Sequence, residues 1–298
     1  MKKTYCGFVA IIGRPNTGKS TLLNQLVGEK VSIISKKRQT TRHRIVGIHT
    51  VKNYQIVYVD SPGIHLEKKS ALNEYMNKTS TRLLKDVDVV IFLASGTHWT
   101  DEDEFVLKKI KNCKCPVILA VNKVDLVKDK DRLLPHLQAL SEKMDFTEVV
   151  PISAKKGTNL DRLETSIERL LPESPFFYSE EQVTDRDMGF RLAEIIREKL
   201  YYNTSNELPY STTVEIEKME LQKNVYHISA LILVEREGQK KIVIGTSGEK
   251  LKSVGKAARL DMEHLLQKKV FLQLWVKVKS GWTDSATALS SLGYTDIG

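Results

Sequence analysis

The sequence predicts an α/β domain with a mostly parallel sheet and helices on both faces, followed by a smaller α+β domain. Apolar strand-like segments alternate with amphipathic helical segments throughout residues 1–171, which favours a parallel sheet wrapped by helices. From residue 187 onward the order becomes helix, strand, strand, glycine-bounded turn, helix and strand, which is typical of an α+β domain. A chain of 298 residues is long enough for two such domains, each with its own core.

The domain boundaries follow from a break in periodicity. A helix predicted over Asn159–Leu171 ends at Pro172-Glu-Ser-Pro175, and the residues up to Asp185 show no clear period. We therefore expect a first domain over residues 1–172, a linker over 173–186 and a second domain over 187–298.

The charge of the chain is unevenly distributed. Lys and Arg exceed Asp and Glu by 46 to 37, a net charge of +9, which favours a polyanionic partner. Residues 179–235 hold 6 basic and 11 acidic side chains, whereas residues 236–281 hold 11 basic and 4 acidic ones. The second domain is thus expected to carry a locally basic segment of net charge +7 near its C-terminal end.

Cysteine usage and hydropathy restrict the class of protein. Cys6, Cys113 and Cys115 match no zinc-ligand spacing, and we interpret them as ordinary thiols. The sequence has no apolar run of about 18 residues that would span a membrane. The apolar segment after Lys2-Lys3 continues directly into the next motif without a cleavage site, so we expect a cytoplasmic protein.

A phosphate-binding loop is predicted between the first strand and the first helix. The residues Gly13-Arg-Pro-Asn-Thr-Gly-Lys-Ser20 fit G-x-x-x-x-G-K-[ST], and they lie between an apolar strand (Phe8–Ile12) and a leucine-rich helix (Ser20–Val27). In such loops backbone N–H groups surround the phosphates, the lysine reaches the β and γ oxygens, and the serine hydroxyl binds Mg²⁺. The predicted phosphate-binding residues are Gly13, Arg14, Pro15, Asn16, Thr17, Gly18, Lys19, Ser20 and Thr21.

A second phosphate motif follows the third predicted strand. The strands Arg44–Thr50 and Gln55–Val59 lead to Asp60-Ser61-Pro62-Gly63, a D-x-x-G pattern. The Asp60 carboxylate is expected to be an outer-shell ligand of Mg²⁺, and the Gly63 backbone N–H can donate to a γ-phosphate. Ser61 and Pro62 are included in the predicted nucleotide site.

The base-recognition motif follows the strand Pro116–Val121. Asn122-Lys123-Val124-Asp125 fits N-K-x-D, in which the aspartate accepts hydrogen bonds from guanine N1–H and the N2 amine. Adenine lacks that amine and would leave the carboxylate unpaired. After the strand Glu148–Ile152, the residues Ser153, Ala154 and Lys155 are expected to lie behind the guanine ring.

The second domain carries a G-x-x-G pattern in its basic segment. The predicted elements are an amphipathic helix from Met188 to Leu200, strands over Tyr210–Lys218 and Val225–Val234, a turn over Arg236–Gln239, a helical stretch over Lys256–Gln267 and a strand over Val270–Lys279. Two glycines allow the backbone to approach a nucleic-acid strand, and nearby lysines can bind its phosphates. A plain turn is the alternative. The predicted RNA-binding residues are Gly245, Thr246, Ser247, Gly248, Lys250, Lys252 and Lys256.

The order of these motifs resembles that of the Ras-like GTPases. With Gln39-Thr-Thr-Arg42, the Gly245–Gly248 motif and the closing Leu274–Trp282 segment, the whole chain resembles the bacterial Era family of ribosome-assembly GTPases, which carry a C-terminal type II KH domain. The resemblance implies a GTPase that binds the 3′ region of small-subunit (16S) ribosomal RNA and assists 30S subunit maturation. It also implies peripheral association with the inner membrane, and we expect a monomer.

The resemblance assigns Lys19, Thr41 and Gly63 to catalysis, and Ser20, Thr41 and Asp60 to Mg²⁺. Thr41 is chosen because it directly precedes Arg42 as in related GTPases; Thr40 is the alternative ligand. Ile64 stands where Ras-like enzymes carry a water-orienting glutamine, so the water-positioning group stays open and slow intrinsic turnover is expected. Asn16 is a candidate ligand of K⁺, or it braces the loop.

Two other functions are weighed against this one. A passive RNA chaperone would hold guanine nucleotide only as a structural ligand, but Lys19, Ser20 and Asp60 argue against it. The N-K-x-D motif disfavours an ATP-dependent kinase. Because the loop Lys36–Arg44 has five Lys and Arg residues and no acid, we also expect its position to depend on the nucleotide and to control RNA binding.

Overall fold

The computed structural model describes residues 3–35, 37, 40–63, 71–96, 98–129, 131, 133–203 and 212–294. The chain forms two compact units. The first comprises Met1–Ser32, Thr41–Lys69 and Asn73–Asp185; the second comprises Ile33–Thr40, Ser70–Leu72 and Arg186–Gly298. Residues 33–40, which precede the predicted Mg²⁺ ligand Thr41, therefore group with the C-terminal part of the chain.

The first unit has the predicted α/β architecture. In chain order its strands and helices are β1 (Tyr5–Ile12), α1 (Lys19–Val27), β2 (Ile45–Val51), β3 (Tyr54–Asp60), α2 (Ala71–Leu83), β4 (Val89–Ser95), α3 (Asp101–Ile110), β5 (Val117–Asn122), α4 (Leu133–Ser141), β6 (Glu148–Pro151) and α5 (Leu160–Glu168). The six strands lie in the order β2-β3-β1-β4-β5-β6, and all pairs are parallel except β2 with β3. The prediction of a mostly parallel sheet is confirmed.

The strands of this sheet are apolar because they are buried on both faces. Every residue of β5 is buried, as are Val89–Ala94 in β4. Such continuous apolar runs are expected for central parallel strands. Thr100 caps helix α3 and forms a capping box with Asp103.

The segment predicted as a linker packs along the first unit. The amide of Ser174 donates to the Thr4 carbonyl at 3.0 Å, and the amide of Ile48 donates to the Val183 carbonyl at 2.9 Å. The buried Gln55 Oε1 accepts hydrogen bonds from the amides of Phe177 and Tyr178 at 2.8 and 3.0 Å. These bonds satisfy the backbone of a segment that has no regular secondary structure.

The second unit has a three-stranded sheet with helices on one face. Its elements are α6 (Met188–Asn203), β7 (Thr212–Gln222), β8 (Val225–Val234), α7 (Glu237–Ile244), α8 (Glu249–Leu266), β9 (Lys269–Val278) and α9 (Ala286–Ser291). The strand order is β7-β8-β9, with β7 antiparallel and β9 parallel to β8. Residues of α6, including Leu192 and Ile196, and of α8, including Val254 and Ala258, form the core with one face of this sheet.

Two details of this unit differ from the prediction. The turn predicted over Arg236–Gln239 is wrong, because helix α7 begins at Glu237. The Gln239 side chain accepts hydrogen bonds from the amides of Glu235 and Arg236 at 2.9 and 3.0 Å, which satisfies the helix N-terminus. Helix α8 begins at Glu249, seven residues before the stretch predicted from Lys256.

Candidate nucleotide and RNA sites

The predicted nucleotide motifs meet at one edge of the six-stranded sheet. The phosphate loop follows β1, Asp60 ends β3 and Asn122 ends β5. The register pairs Ile11 with Asp60 and Ser95 with Asn122, so these strands end at similar levels. Ligands of such sheets bind outside the carboxyl ends of the strands, and this edge is therefore the expected nucleotide site.

Two positions of the phosphate loop require glycine, one because a neighbouring strand lies very close and the other because its backbone is left-handed. A Cβ on Gly13 would lie 2.5 Å from the Leu93 carbonyl oxygen. Gly18 caps helix α1 with φ 105°, a left-handed conformation that favours glycine. The loop thus lies against β4 and ends at a helix N-terminus, where backbone N–H groups favour a bound phosphate.

Lys19 lies inside this loop. It is 6% exposed, and its Nζ donates to the carbonyl oxygens of Gly13 and Arg14, both at 3.1 Å. Burial lowers the pKa of Lys19 to about 8, while the Asp60 carboxylate acts in the opposite direction. Phosphate oxygens placed beside Nζ would favour its charged form, so the position suits an anionic ligand.

Four oxygen-bearing side chains converge near the loop. Asp60 Oδ2 accepts hydrogen bonds from Ser20 Oγ at 2.8 Å, Ser32 Oγ at 3.3 Å and Thr41 Oγ1 at 3.4 Å. The hydroxyls of Ser20 and Thr41 are 2.9 Å apart. We call Ser20, Ser32, Thr41 and Asp60 the oxygen cluster.

The oxygen cluster fits Mg²⁺. Asp60 is fully buried, and its Oδ1 has no hydrogen-bond partner among the residues that the structure describes. Burial raises the pKa of this carboxyl, and the nearby Lys19 opposes the shift. Oxygen ligands that include a carboxylate are those that Mg²⁺ prefers.

The structure distinguishes the two candidate threonines. The Thr40 hydroxyl donates to the Lys37 carbonyl at 2.7 Å, whereas the Thr41 hydroxyl lies in the oxygen cluster. Of these two hydroxyls, that of Thr41 is the one that contacts Ser20 and Asp60.

Gly63 lies beside the phosphate loop. A Cβ on Gly63 would be 3.0 Å from the Pro15 ring, and the adjacent Ser61 hydroxyl donates to the Ile11 carbonyl at 3.4 Å. The Gly63 backbone is thus brought close to the loop, as a contact with the γ-phosphate requires. Ile64, Lys36, Arg38 and Gln39, which the sequence analysis singled out, lie outside the described residues.

Asn122 joins the base motif to the phosphate loop. Its Nδ2 donates to the Thr17 carbonyl at 2.8 Å, and its Oδ1 accepts from the Ala154 amide at 2.9 Å. Lys123 has a left-handed φ of 67°, and its Nζ donates to the Asn16 carbonyl at 2.7 Å. These bonds hold three separate segments together around the base position.

Asp125 is exposed and oriented by a neighbouring motif. Its Oδ1 accepts a hydrogen bond from Ser153 Oγ at 2.6 Å. Ala154 is buried, whereas Lys155 is exposed. The carboxylate and the Ser153–Lys155 segment are thus brought together where a guanine would be recognised.

The predicted RNA-binding loop is a sharp bend between two helices. Gly245, Ser247 and Gly248 have positive φ angles of 76°, 50° and 81°, and Gly248 is the N-cap of α8. Thr246 and Ser247 are exposed, and the predicted phosphate-binding lysines Lys250, Lys252 and Lys256 are exposed on α8. A nucleic-acid backbone can therefore approach the loop, the helix N-terminus and the lysines together.

Two residues that lie beside the predicted nucleotide motifs were not predicted from the sequence. Asp103 is buried, and its Oδ2 accepts a hydrogen bond from Arg14 Nε at 2.9 Å in addition to capping helix α3. Only its position in an acidic helix start was visible in the sequence. Ser32, which donates to Asp60, lies in an irregular segment and gave no signal.

Comparisons with known proteins agree with this architecture. A family model described as "50S ribosome-binding GTPase" matches residues 8–123, and a model described as "KH domain" matches residues 207–283. The "GTPase Era" of Actinobacillus pleuropneumoniae serotype 5b is 57% identical over 99% of this chain and 97% of that protein. The "GTPase Era" of Yersinia pestis (strain Pestoides F) is 56% identical over 99% and 98%.

Two solved structures resemble the whole chain. An Era variant from Aquifex aeolicus bound to GDP.AlF4- has a TM-score of 0.94 and 39% identity, with 98% of this chain and 100% of that chain covered. Era in complex with MgGDPNP and nucleotides 1506–1542 of 16S ribosomal RNA has a TM-score of 0.95 and 40% identity, with 98% and 99% covered. In the described part of the chain, no helix has the length and hydropathy to cross a membrane. The chain belongs to the Era family of GTPases, and it combines a GTPase domain with a C-terminal KH domain.

Proposed function

We propose that this GTPase is a switch that binds the 3′ region of 16S ribosomal RNA and assists maturation of the 30S subunit. The observation that carries the proposal is the presence of the oxygen cluster and an exposed G-x-x-G loop in one chain. A solved relative that covers nearly the whole chain binds both MgGDPNP and a 16S segment, which supports the same pairing of ligands here.

Each part of the nucleotide site has a distinct task in GTP hydrolysis. In this proposal Ser20 and Thr41 would hold Mg²⁺ with the support of Asp60, and the ion would supply positive charge to the phosphates. The loop amides and Lys19 hold the phosphates, and the Gly63 amide donates to the γ-phosphate. Since Ile64 cannot orient a water molecule by hydrogen bonding, we expect slow intrinsic turnover.

Phosphate release separates this function from that of a passive RNA chaperone. Purified protein with GTP and Mg²⁺ should release phosphate in repeated turnovers, both with and without an RNA covering the 3′ end of 16S ribosomal RNA. The chaperone alternative requires that GTP stay intact under both conditions. An excess of ATP should not displace bound GDP, because Asp125 is placed to select guanine.

The G-x-x-G loop should be essential for RNA binding. Changing Thr246 and Ser247 to aspartate places two negative charges at the exposed tip of the loop, where they would repel a bound phosphate backbone. We expect RNA binding to be lost in a mobility-shift titration, with unchanged GDP affinity as the control for folding. Asparagine at both positions is the matched neutral variant and should retain most of the binding.

The exposed lysines of α8 should act through charge alone. Lys250→Ala and Lys252→Ala should weaken binding to all RNA sequences and should each reduce the slope of log Kd against log salt by about one. Unchanged binding in both the aspartate and the lysine variants would place the RNA site elsewhere on the molecule.

Potassium is proposed to assist hydrolysis at Asn16. Asn16 has a left-handed φ of 62°, and its carbonyl accepts a hydrogen bond from Lys123, so the residue is fixed at the exposed side of the phosphate loop. Its amide oxygen could then be one ligand of a K⁺ ion that supplies charge to the phosphates in place of an arginine.

Hydrolysis should therefore be faster in KCl than in NaCl at the same ionic strength, and Asn16→Ala should remove the difference. Phosphate release measured in both salts checks this. Equal rates for the unmodified protein would leave Asn16 with the role of bracing the loop.

The loop before Thr41 provides a route for coupling nucleotide and RNA binding. Within the second unit, the buried Arg197 donates to the Thr40 carbonyl at 2.6 Å and to the Tyr201 hydroxyl at 2.7 Å. It also forms an ion pair with Glu194 at 2.6 Å. The Ile34 amide donates to Glu198 Oε1 at 3.1 Å.

These bonds attach Ile34 and Thr40 to helix α6 of the second unit. The next residue, Thr41, belongs to the oxygen cluster. A movement of Thr41 on GTP hydrolysis would therefore strain or break the Thr40–Arg197 bond, and we propose that RNA affinity depends on the bound nucleotide in this way.

Two further properties stay predictions from the resemblance. The chain is proposed to be a monomer that associates peripherally with the cell membrane and is otherwise cytoplasmic. Light scattering should give the mass of one chain, and a fraction of the protein should sediment with anionic phospholipid vesicles and be released by high salt.

A further inference from the structure

On the sheet face opposite α6 and α8, which we call the open face, the side chains of β9 are exposed, whereas Leu233 and Thr213 at one end of it are buried. Along β9, Val270, Leu272 and Leu274 pack towards α6 and α8. The alternating residues point to the opposite face, as the twofold period of a strand requires. All five of them are exposed: Lys269, Phe271, Gln273, Trp275 and Lys277.

Two large aromatic side chains stand on this open face. Phe271 is 50% exposed and Trp275 is 58% exposed. Since they are four residues apart on one strand, their Cα atoms are separated by about 13 Å. His227 lies beside Phe271 in the register, with ring centroids 5.3 Å apart, so the aromatic surface extends onto β8.

The charges on this face are divided between its two edges. Strand β9 carries Lys269 and Lys277 at either end of the aromatic pair, and its sequence contains no Asp or Glu. On β7, at the far edge, the same face carries Glu215, Lys218 and Glu220, and Lys218 forms an ion pair with Glu220 at 3.0 Å. The lysines of β9 have no acid on their own strand, so a negatively charged chain is attracted to β9.

Polar residues interrupt the apolar surface. Gln273 is paired with Ser229 across strands β9 and β8. This polar pair separates the pair of Phe271 and His227 from the pair of Trp275 and Leu231. The centre of a protein–protein interface is usually apolar and depleted in charge, whereas this face has separated rings flanked by lysines. Separated rings with neighbouring positive charges are the arrangement on which the bases of single-stranded nucleic acids stack.

We propose that this open face is a second RNA-binding surface, on which unpaired bases stack against Phe271 and Trp275 while phosphates lie near Lys269 and Lys277. The inference rests on the proposed RNA-binding function and adds a second site to it. Helices α7 and α8, which carry the G-x-x-G loop, contribute Val243, Val254 and Ala258 to the core on the other side of the sheet. One RNA must therefore extend beyond the G-x-x-G cleft, which clamps about four nucleotides, to reach both sites.

Binding of a long and a short RNA to the full-length protein tests this inference. The long probe is a single strand covering nucleotides 1506–1542 of 16S ribosomal RNA, and the short probe is a six-nucleotide piece selected for binding that requires the G-x-x-G loop. Phe271→Ala with Trp275→Ala should weaken binding of the long probe by about tenfold or more, because each stacked base is lost. Binding of the short probe should stay unchanged.

Matched variants separate stacking from general damage. Leu221→Ala removes a side chain of similar exposure, 50%, from β7; its register partner Tyr226 packs on the helix-covered side. This control should bind both probes normally. Phe271→Tyr with Trp275→Phe keeps both rings and should retain most of the affinity for the long probe.

Tryptophan fluorescence supplies a second readout. Trp282 is fully buried and Trp99 is half-buried, whereas Trp275 is exposed. The long probe should protect Trp275 from acrylamide, so that quenching of tryptophan fluorescence decreases when RNA is bound. In Trp275→Phe the RNA should not change the quenching.

The outcomes distinguish this inference from the proposed function. Normal binding of the long probe by the double alanine variant would overturn the second site, while loss of binding in the Thr246, Ser247 aspartate variant would still support the first. If neither variant changed RNA binding, the RNA would bind elsewhere on the molecule, and both the G-x-x-G site and the second site would be overturned. A dimer that the double alanine variant converts to monomer would instead make the open face a contact between copies of the chain and overturn the inference.

Discussion

Lys19→Ala is expected to reduce GTP turnover by a factor of about 10²–10³ or more, the loss seen when one charge-stabilising donor is removed. Lys19 is the buried cation of the phosphate loop, and its Nζ lies at the carbonyl oxygens of Gly13 and Arg14. Alanine cannot replace the charge that faces the β and γ oxygens. Single-turnover phosphate release, together with titration of a fluorescent GDP analogue, would measure the effects on chemistry and binding separately.

Lys128→Ala is the matched control for this change. Lys128 is an exposed lysine of the same unit and lies outside the oxygen cluster and the phosphate loop. Its loss should leave turnover unaltered. Turnover near the normal rate in Lys19→Ala would remove the phosphate loop from the catalytic site.

Asp125→Asn is expected to exchange guanine specificity for xanthine specificity. In the proposed base site the carboxylate would accept hydrogen bonds from guanine N1–H and the N2 amine, whereas an amide can donate to the oxygen that replaces this amine in xanthine. Loss of a required hydrogen-bonding partner can cost about 10⁴–10⁵ in discrimination. The variant should therefore lose GTP binding by orders of magnitude and gain XTP binding.

Competition titrations with GTP, XTP and ATP check the exchange. Ser153 donates to Asp125 Oδ1, and the asparagine oxygen can accept the same bond, so the local fold should be kept. Asp145→Asn changes an exposed acid of the same unit and should leave all affinities as they were. A folded Asp125→Asn variant that bound neither GTP nor XTP would contradict the assignment of the base site.

The sequence predicted the fold best where apolar and polar residues follow a regular period. Strand β8 has the predicted bounds, Val225–Val234, and the two faces of β9 alternate in burial as expected. Helix α7 was not recognised because its N-terminus is satisfied by Gln239 rather than by a common capping residue. Helix α4 was not predicted either; most of its residues are not buried, and Pro135 lies in its first turn, so a core-facing stripe was hard to recognise.

The candidate site was predictable where a motif fixes geometry within a few residues. Phosphate-loop residues, Asp60 and the N-K-x-D motif meet at one sheet edge because they all follow parallel strands. Contacts between residues that are far apart in the sequence belong to no motif and were not predicted. Arg14 with Asp103 and Thr40 with Arg197 are separated by 89 and 157 positions, so only the folded chain brings them together.

The proposed control of RNA binding by the bound nucleotide can be tested by one equilibrium measurement. The dissociation constant of the RNA covering nucleotides 1506–1542 is measured at one salt concentration, first with GDP and then with a non-hydrolysable GTP analogue. We expect the RNA to bind more tightly with the analogue than with GDP, by a factor of about 5–150, the range typical of coupled sites. Equal dissociation constants in the two nucleotide states would contradict it.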